Sequence, residues 1–287
     1  MVFDPTRRSS GQRPNLPASI ISSLRNRKQR GLEGSAASER DAAALLVASY
    51  NVHKCVGVDG RFDPSRIANV IREIAPDVLA LQEADSRFGE RRGLLDLGWM
   101  EREAGLLPVP IGGVSKAHGW HGNVLFFREG IVRDVHPLRL PGLEPRGALM
   151  TELELKDGTV LRVIAAHLGL LNRSRQQQAR MILDILSSRE DHPTLLMGDL
   201  NEWRLGDRSS LNSLAKTFRG MPAAVPSFPS RLPVLALDRI MSNRPGLIDA
   251  VKVHDSALAR VASDHLPIKA LIRPNMADEG LSETERR

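Results

Sequence analysis

The chain has 287 residues, enough for one large core, and its composition (41% apolar, 26% charged) is that of a globular protein in water. Aromatic residues make up only 4%, which disfavours a stacking surface for single-stranded nucleic acid, and no apolar run approaches the roughly 20 residues that span a bilayer. Much of the +6 net charge comes from residues 1–40, with eight Lys/Arg and three acids. A basic DNA-binding surface over the whole protein therefore has weak support.

The segment 1–43 is rich in Arg, Ser, Gly and Pro and lacks the apolar stretch of a secretory signal. We predict a disordered basic arm; the alternatives are an organelle transit peptide, or a segment drawn weakly to anionic membranes or nucleic acid. We expect one domain over 44–274, a disordered tail over 275–287 and a monomer. The lone Cys55 favours a reducing compartment, so a cytoplasmic location is expected, with peripheral membrane contact as the alternative.

The core opens with a predicted strand, helix and strand. Residues 45–52 are apolar and compatible with a strand, and a helix follows that Asp63 caps, with Pro64 in its first position. The apolar positions of that helix recur three and four residues apart, at Ile67, Val70, Ile71 and Ile74. Pro76 ends the helix, and residues 77–83 read as a second buried strand.

The middle of the chain is predicted to be mostly β-structure. A short strand is expected at 106–111, and residues 123–128 and 131–140 read as two neighbouring strands. Residues 148–155 and 160–168 are predicted to form a hairpin, because Asp157-Gly158 between them is a turn signal.

The last third alternates helices and strands. A helix is predicted over 173–189, and a buried strand then ends in Gly198-Asp199-Leu200-Asn201. Asp207 is expected to cap a further helix whose inner face carries Leu211, Leu214, Ala215 and Phe218. A loop with four prolines follows, and three more strands are predicted at residues 235–241, 247–253 and 266–272.

Polar side chains stand at five of these strand ends: Asn51, Glu83, His167, Asp199 with Asn201, and Asp264 with His265. Each alone has an ordinary structural reading, as a helix cap, a core histidine or a polar turn. Together at one edge of a β-rich core they predict a site. Carboxylates and amides without a cysteine cluster favour a hard cation, Mg²⁺ or Mn²⁺, over zinc. Histidines beside such an ion suggest acid–base chemistry.

Five short motifs carry a specific resemblance: Ser49-Tyr50-Asn51, Leu81-Gln82-Glu83, Ala166-His167-Leu168, Gly198-Asp199-Leu200-Asn201 and Ser263-Asp264-His265. In this order and rough spacing they resemble the endonuclease/exonuclease/phosphatase superfamily, whose fold is that of DNase I. The resemblance covers 44–274. It implies an α/β (α+β) four-layer sandwich, with two packed mixed β-sheets flanked by helices and the site at one edge.

The resemblance also implies a role for each metal-binding residue. Glu83 corresponds to the main metal carboxylate, Asn51 assists it, and Asp264 completes the metal or water network. The implied cofactor is Mg²⁺, with Mn²⁺ as the alternative.

The catalytic roles are implied in the same way. Asp199 and Asn201 orient the attacking water and the phosphate. His265 is the base or a phosphate contact, with Asp238 orienting it. His167 assists the phosphate or the leaving group.

The motifs also bear on which branch of the superfamily this chain resembles. Abasic-site endonucleases usually open with Trp-Asn and lack a histidine at position 167, so DNA repair is disfavoured here. Residues 51–54, Asp63 and residues 144–148 instead resemble a bacterial subgroup, some members of which are linked with phospholipid metabolism. Arg146 is then a phosphate clamp, or else an exposed turn arginine. His53 and Asn123 are assigned to substrate binding, with a loop histidine as the alternative for His53.

These observations predict a divalent-metal-dependent hydrolase of phosphate esters, foremost a phosphodiesterase that is nuclease-like or acts on a lipid headgroup. Phosphodiesters and phosphomonoesters, nucleic acids, lipid headgroups and sugar phosphates all remain open as substrates. One alternative is a non-catalytic module that binds a phosphorylated ligand. Another is a membrane-associated protein of phospholipid metabolism, docked by its basic arm.

Overall fold

Two mixed β-sheets packed face to face form the centre of the computed structural model. It describes residues 44–274 apart from 87–88, 113–115, 205 and 220–221, and apart from the side chain of Asp207. The predicted arm 1–43 and tail 275–287 lie outside the described residues. The strands of the described part are β1 (Leu45–Asn51), β2 (Val78–Gln82), β3 (Leu107–Pro108), β4 (Val124–Phe127), β5 (Ile131–Arg139), β6 (Gly147–Glu154), β7 (Val160–His167), β8 (Thr194–Asp199), β9 (Asp238–Ser242), β10 (Ile248–Val253) and β11 (Ile268–Ile272).

The first sheet has the strand order β10-β11-β1-β2-β4-β3. Strands β1 and β2 run parallel, with Asn51 opposite Gln82, so their carboxyl ends lie side by side. The second sheet has the order β5-β6-β7-β8-β9. There β7 and β8 run parallel, with His167 opposite Asp199, and Asp238 at the start of antiparallel β9 also pairs with Asp199. Each sheet thus brings its predicted polar residues to one edge.

Four helices lie in the described residues: α1 (Pro64–Ile74), α2 (Leu97–Ala104), α3 (Asn172–Ser187) and α4 (Ala259–Ala262). The predicted cap of α1 is present, since the Asp63 carboxylate accepts a hydrogen bond from the backbone N–H of Arg66. None of the helices in this part of the chain is long and apolar enough to cross a membrane.

Three apolar clusters divide the fold into layers. One cluster packs the first sheet against α1, α2 and α4, through residues such as Ile67 and Met100. A second fills the space between the sheets, and a third packs α3 and a short 3-10 turn onto the second sheet. The order helix, sheet, sheet, helix confirms the predicted four-layer sandwich. The predicted hairpin is confirmed as well, since β6 and β7 pair antiparallel.

The prediction that 123–128 and 131–140 are neighbouring strands was wrong. Strand β4 pairs with β2 and β3 in the first sheet, whereas β5 pairs with β6 at the edge of the second. The residues explain the separation. Every residue of β4 is buried, while β5 carries exposed charges and Pro137, which suit an edge strand. The chain therefore crosses between the sheets over residues 128–130.

The helix predicted after Asp207 was also wrong. The structure has two short 3-10 helices there, Gly206–Arg208 and Asn212–Lys216. Serine and asparagine side chains compete for backbone hydrogen bonds, and Ser210 is already bound to Glu202 through its backbone N–H. Leu211, Leu214 and Phe218 are buried as expected, but Ala215 is exposed.

Candidate active site

At the candidate active site, the carboxyl ends of β1 and β2 lie beside those of β7 and β8. The amide Nδ2 of Asn51 donates a hydrogen bond of 2.9 Å to Oδ2 of Asp199, across the gap between the two sheets. Both side chains are buried. A Cβ on Gly198 would lie 1.8 Å from the carbonyl oxygen of Ala166, so only glycine permits this approach of β7 and β8. The glycine therefore sets the position of Asp199.

His265 lies between two carboxylates. Its Nδ1 is 2.8 Å from Oδ2 of Asp238, and its Nε2 is 3.7 Å from Oδ2 of Asp199. Burial disfavours the imidazolium, but the charges of Asp238 and Asp199 outweigh it and raise the pKa of His265 to about 10. The ring is therefore an imidazolium at neutral pH. The Ser227 hydroxyl also donates to Asp238 and fixes the orienting carboxylate.

Asp199 is anchored from a third side by Asn201. The backbone N–H of Asn201 donates to Oδ1 of Asp199 at 3.0 Å, and its amide donates to the carbonyl oxygen of Leu168 at 2.9 Å. Asn201 has a φ of 50°, in the left-handed region. Asp199 thus ends β8, and Asn201 lies in a tight turn directly after it.

Glu83 stands at the end of β2 with the ammonium group of Lys54 beside it. The Lys54 Nζ lies 2.8 Å from Oε2 of Glu83, and the Lys54 backbone N–H donates to the Glu83 carbonyl oxygen at 3.1 Å. Burial alone would raise the pKa of Glu83. The hydrogen bond from Lys54 and the charge of His167 outweigh it and lower that pKa to about 2. Glu83 is an ionised carboxylate, prepared for a cation.

Left-handed backbone conformations gather at the same edge. His53, Lys54 and Cys55 have φ of 44°, 56° and 58°, three in a row without a glycine. Outside this turn, the described non-glycine residues with positive φ are Ala75, which ends α1, and Glu83, Arg91, His121 and Asn201. Each such conformation costs about 1 kcal/mol or more, so it persists where surrounding contacts impose it, and it gathers at functional sites.

His167 is buried and lies against Arg146. The Arg146 Nη1 is 2.7 Å from Nε2 of His167, and its other nitrogens donate to Oε2 of Glu144 at 2.7 and 3.0 Å. Burial, assisted by the positive charge of Arg146, lowers the pKa of His167 to about 4, although Asp199 opposes the effect. At neutral pH the ring is neutral and accepts a hydrogen bond.

A small open cleft lies beside these residues. Its walls carry Lys54, Glu83, Asp85, Arg91, His121, Gly122, Pro145, Arg146 and His167. Nε of Arg91 lies 2.7 Å from Oδ2 of Asp85, so this arginine too is paired with an acid. The three cations of the walls, Lys54, Arg91 and Arg146, each have a carboxylate partner.

The donor chemistry fits a hard divalent cation. Glu83 is ionised and already holds one cationic group, the Lys54 ammonium, on Oε2. The nearby donors are carboxylate and amide oxygens, which Mg²⁺ and Mn²⁺ prefer. Burial raises the pKa of the Cys55 thiol to about 12, so the cysteine stays protonated and is a poor ligand. Within the described residues, ligand atoms of Asp199, Asp238 and His265 also lie within 4.8 Å of one another and could hold an ion.

The remaining predicted residues lie at differing distances from this centre. Asp264 is half-buried, with Oδ1 3.9 Å from Nδ1 of His53. Asn123 is fully buried, and its amide donates to the carbonyl oxygens of Gly147 at 2.9 Å and Trp120 at 3.2 Å. Asn123 thus fastens β4 to β6. Direct substrate contact by Asn123 and His53 stays a prediction.

Three groups of this site carried too weak a sequence signal to be found. Arg91 and Glu144 lie in loops, and Lys54 lies in a short 3-10 turn between strand and helix, where charged residues are common. Lys54 is next to His53 in the motif, but its pairing with Glu83 depends on the left-handed turn at His53–Cys55, which no composition rule predicts.

Comparisons with known proteins identify the family of this chain. The YbhP protein of Escherichia coli strain K12, described as uncharacterized, is 26% identical over 252 residues, 80% of this chain and 96% of YbhP. The crystal structure of an endonuclease/exonuclease/phosphatase from Beutenbergia cavernae is 25% identical, with a TM-score of 0.60, covering 80% of this chain and 72% of that one.

Two further solved structures share the fold. A mannosyl-6-phosphatase of Bacteroides thetaiotaomicron is 18% identical, with a TM-score of 0.61, and covers 79% of this chain and 99% of that one. TDP2 of D. rerio, complexed with a single strand DNA product, is 17% identical, with a TM-score of 0.57 and coverage of 79% and 98%. The sequence pattern of the Endonuclease/Exonuclease/phosphatase family matches residues 48–265. The chain belongs to the endonuclease/exonuclease/phosphatase family.

Proposed function

We propose that this protein is a divalent-metal-dependent hydrolase of phosphate esters, and that phosphodiesters are its preferred substrates. One observation carries the proposal. Asn51, Asp199, His265 and Asp238 form a continuous buried series of polar contacts that joins the two sheets, and the ionised Glu83 stands at the adjoining strand end. Such a constellation would supply a cation site, an acceptor for a proton and a cationic donor at neighbouring strand ends.

Each side chain has a task in attack on phosphorus. A divalent ion bound at Glu83 would polarise a phosphoryl oxygen and offset the charge that develops there. Asp199, fixed by Asn51 and Asn201, presents a carboxylate that can accept a hydrogen bond from an attacking water. The His265 imidazolium can donate to a non-bridging oxygen, where negative charge builds up in the transition state. The neutral His167 uses its one acceptor nitrogen for the hydrogen bond from Arg146, so its other ring nitrogen carries a proton that can be donated to a phosphate or leaving-group oxygen.

The charge balance of the cleft favours a diester. Lys54, Arg91 and Arg146 are each matched by an acid, respectively Glu83, Asp85 and Glu144. The walls are therefore close to neutral before a divalent ion binds. A phosphodiester carries one negative charge and a phosphomonoester about two near neutral pH. With a divalent ion at Glu83, Lys54 would lose its partner, but Arg91 and Arg146 keep theirs, so these two arginines add no unpaired charge for the second negative charge of a monoester.

The substrate panel includes both ester classes, because similar folds are described with both. The names of the similar structures mention a mannosyl-6-phosphatase and a TDP2 complex with a single strand DNA product. The experiment measures hydrolysis of bis-p-nitrophenyl phosphate and p-nitrophenyl phosphate with Mg²⁺, with Mn²⁺ and with EDTA. Metal-dependent release of nitrophenol from the diester, faster than from the monoester, is expected.

Two variants distinguish the proposed role of Asp199 in turnover from that of Glu83 in metal binding. Asp199→Asn should lower kcat on the diester by about 100-fold or more, with Mn²⁺ affinity by calorimetry little changed. Glu83→Gln should weaken Mn²⁺ binding more than Asp199→Asn does. Asp249→Asn is the matched control, because Asp249 lies on β10 and pairs with Arg273 at the opposite end of the sheet. Phosphate esters bound tightly without turnover by the wild type would instead establish a non-catalytic binding module.

A further inference from the structure

Large apolar side chains are exposed beside the edge of the two sheets where the candidate active site lies. Among the residues that the structure describes, eight large hydrophobic side chains are exposed, and four of them lie on three loops at this edge. We call these four the apolar rim: Leu143 (87% exposed), Leu170 (65%), Leu171 (50%) and Trp203 (52%). They follow or precede the strand ends that carry His167, Asp199 and Arg146. Single exposed leucines are ordinary, but a group beside a cleft indicates a contact surface.

Two of the rim loops are joined to each other by hydrogen bonds. The backbone N–H of Leu170 donates to Oε1 of Glu144 at 2.7 Å. Behind them, buried Gln178 of α3 accepts from the Gly169 N–H at 2.8 Å and donates to the Pro141 carbonyl oxygen at 2.8 Å. The loops that carry Leu143 and Leu170 therefore form one structure.

The third loop is tied to the same structure by a buried ion pair. The Arg175 Nη1 donates to the carbonyl oxygen of Leu170 at 2.6 Å, and its Nη2 donates to Oε2 of Glu202 at 3.3 Å. Both charged side chains are almost completely buried. Trp203 follows Glu202 directly, so its position is fixed as well. Glu144, Arg175 and Glu202 are thus engaged within these loops, and the four apolar side chains of the rim are left outside.

The apolar rim is continuous with the cleft. Glu144 holds Leu170 through Oε1, and through Oε2 it binds Arg146, which contacts His167. A molecule or surface that rests on the rim would therefore place its polar groups at the mouth of the cleft.

The charge of the rim loops is positive. Residues 139–146, 168–176 and 200–210 hold six arginines and three acids. Glu144 and Glu202 are engaged with Arg146 and Arg175, which leaves Arg139, Arg173, Arg204 and Arg208 against Asp207. The Arg204 guanidinium lies 4.9 Å from the centroid of the Trp203 ring. Leucine, tryptophan and arginine in alternation suit a boundary where hydrocarbon meets anionic headgroups.

We propose that the apolar rim docks this protein on the surface of an anionic phospholipid bilayer, with the leucines and Trp203 among the headgroups and the arginines against lipid phosphates. The arginines of the rim loops that are not engaged by Glu144 or Glu202 match the negative charge of such a surface, and the four apolar side chains match its hydrocarbon. Docking in this way would present interfacial phosphate esters to the cleft. That consequence rests on the proposed function, whereas the docking itself does not.

The test is co-sedimentation of the full chain with phosphatidylcholine vesicles, with and without phosphatidylglycerol. Wild type should bind the anionic vesicles and release them as salt is raised. The double variant Leu143→Asn/Leu170→Asn should bind them more than about tenfold more weakly, because two leucines no longer enter the interface. Ile131→Asn is the matched control, since Ile131 is 57% exposed but lies at the other end of the second sheet. It should bind as wild type does.

Other outcomes would overturn the proposal. These are no vesicle binding by wild type, equal losses in the double variant and in Ile131→Asn, or binding that is lost only when residues 1–43 are deleted. Wild type that ignores vesicles but dimerises through the rim would assign these loops to a second copy of the chain. Hydrolysis of bis-p-nitrophenyl phosphate is measured on the same samples. Its absence would contradict the proposed function without affecting the vesicle result, and its persistence in the double variant shows that the cleft is intact.

Discussion

Asp238→Asn is the substitution that most directly tests the electrostatics of the site. It keeps the size of the side chain but removes the charge that lies 2.8 Å from Nδ1 of His265. Both residues are buried, so solvent screens the pair little. We expect the substitution to change the protonation of His265 at neutral pH, and with it the pH dependence of hydrolysis.

The magnitude follows from the distances. With an effective dielectric constant of about 20, a charge at 2.8 Å contributes about 6 kcal/mol and one at 3.7 Å about 4 kcal/mol. A rise of the His265 pKa from 6.5 to about 10 corresponds to about 5 kcal/mol, so burial opposes the two carboxylates by a similar amount. Without Asp238, the attraction of Asp199 and the cost of burial nearly cancel. The pKa of His265 should then return to roughly its ordinary value of about 6.5.

The assay compares kcat/KM on bis-p-nitrophenyl phosphate at two pH values. If the imidazolium is the active form, the variant keeps most of it at pH 6 but only about 3% at pH 8. The defect of Asp238→Asn relative to wild type should therefore grow by about 20-fold or more between these pH values. The His265 ring carbon and proton shifts in an NMR titration report the pKa directly, and the effect of Asp238→Asn should largely vanish in a His265→Gln background.

Two results would refute this reasoning. One is a His265 that remains protonated above pH 9 in the variant, which would mean that Asp238 does not hold the charge. The other is a defect that is the same at pH 6 and pH 8, which would leave Asp238 an orienting role only.

Three further predictions concern single side chains. Lys54→Met should tighten Mn²⁺ binding in calorimetry by about tenfold, because the ammonium no longer competes for Glu83, whereas a disrupted site would bind more weakly. His167 has a pKa lowered to about 4, so its contribution is complete above about pH 6.5 and is lost as pH falls to about 4. Acid unfolding of His167→Gln should accordingly lack about 3 kcal/mol of this pH dependence. Glu202→Gln should lower the free energy of unfolding in urea by about 3–5 kcal/mol by leaving Arg175 buried without its partner, against less than about 0.5 kcal/mol for the exposed Glu190→Gln.

The sequence predicts the layers of this fold because its periodicities are strong. The apolar run of residues 45–52 and the face of α1 are visible without a structure, and the structure confirms both. Polar residues at strand ends likewise predict which side chains share an edge, since parallel neighbours such as β7 and β8 bring their carboxyl ends together. The assignment of β5 to the second sheet was missed because periodicity describes a strand and not its partner.

The contacts that set the protonation states of the site could not be predicted from the sequence. The pairing of Lys54 with Glu83 depends on three consecutive left-handed residues, and that of Arg146 with His167 on a loop fixed by Glu144. Neither follows from residue type or spacing, because loop conformation results from many weak competing terms. The protonation states are therefore also hidden from the sequence. His167 and His265 are both strand-end histidines, yet one is neutral and the other charged at neutral pH.

The pKa values of the two histidines differ because different strands and loops supply their charged neighbours. His265 precedes β11 and faces Asp238 and Asp199, the two acids at the paired ends of β9 and β8. His167 ends β7 beside the same Asp199, but the loop before β6 adds Arg146, whose charge opposes a second imidazolium. Asp199 thus lies near both imidazole rings. Arg146 helps to lower the pKa of His167, whereas Asp238 raises the pKa of His265. Under the proposed function, the two histidines would therefore act in different charge states, His265 as a cationic donor and His167 as a neutral ring held by Arg146.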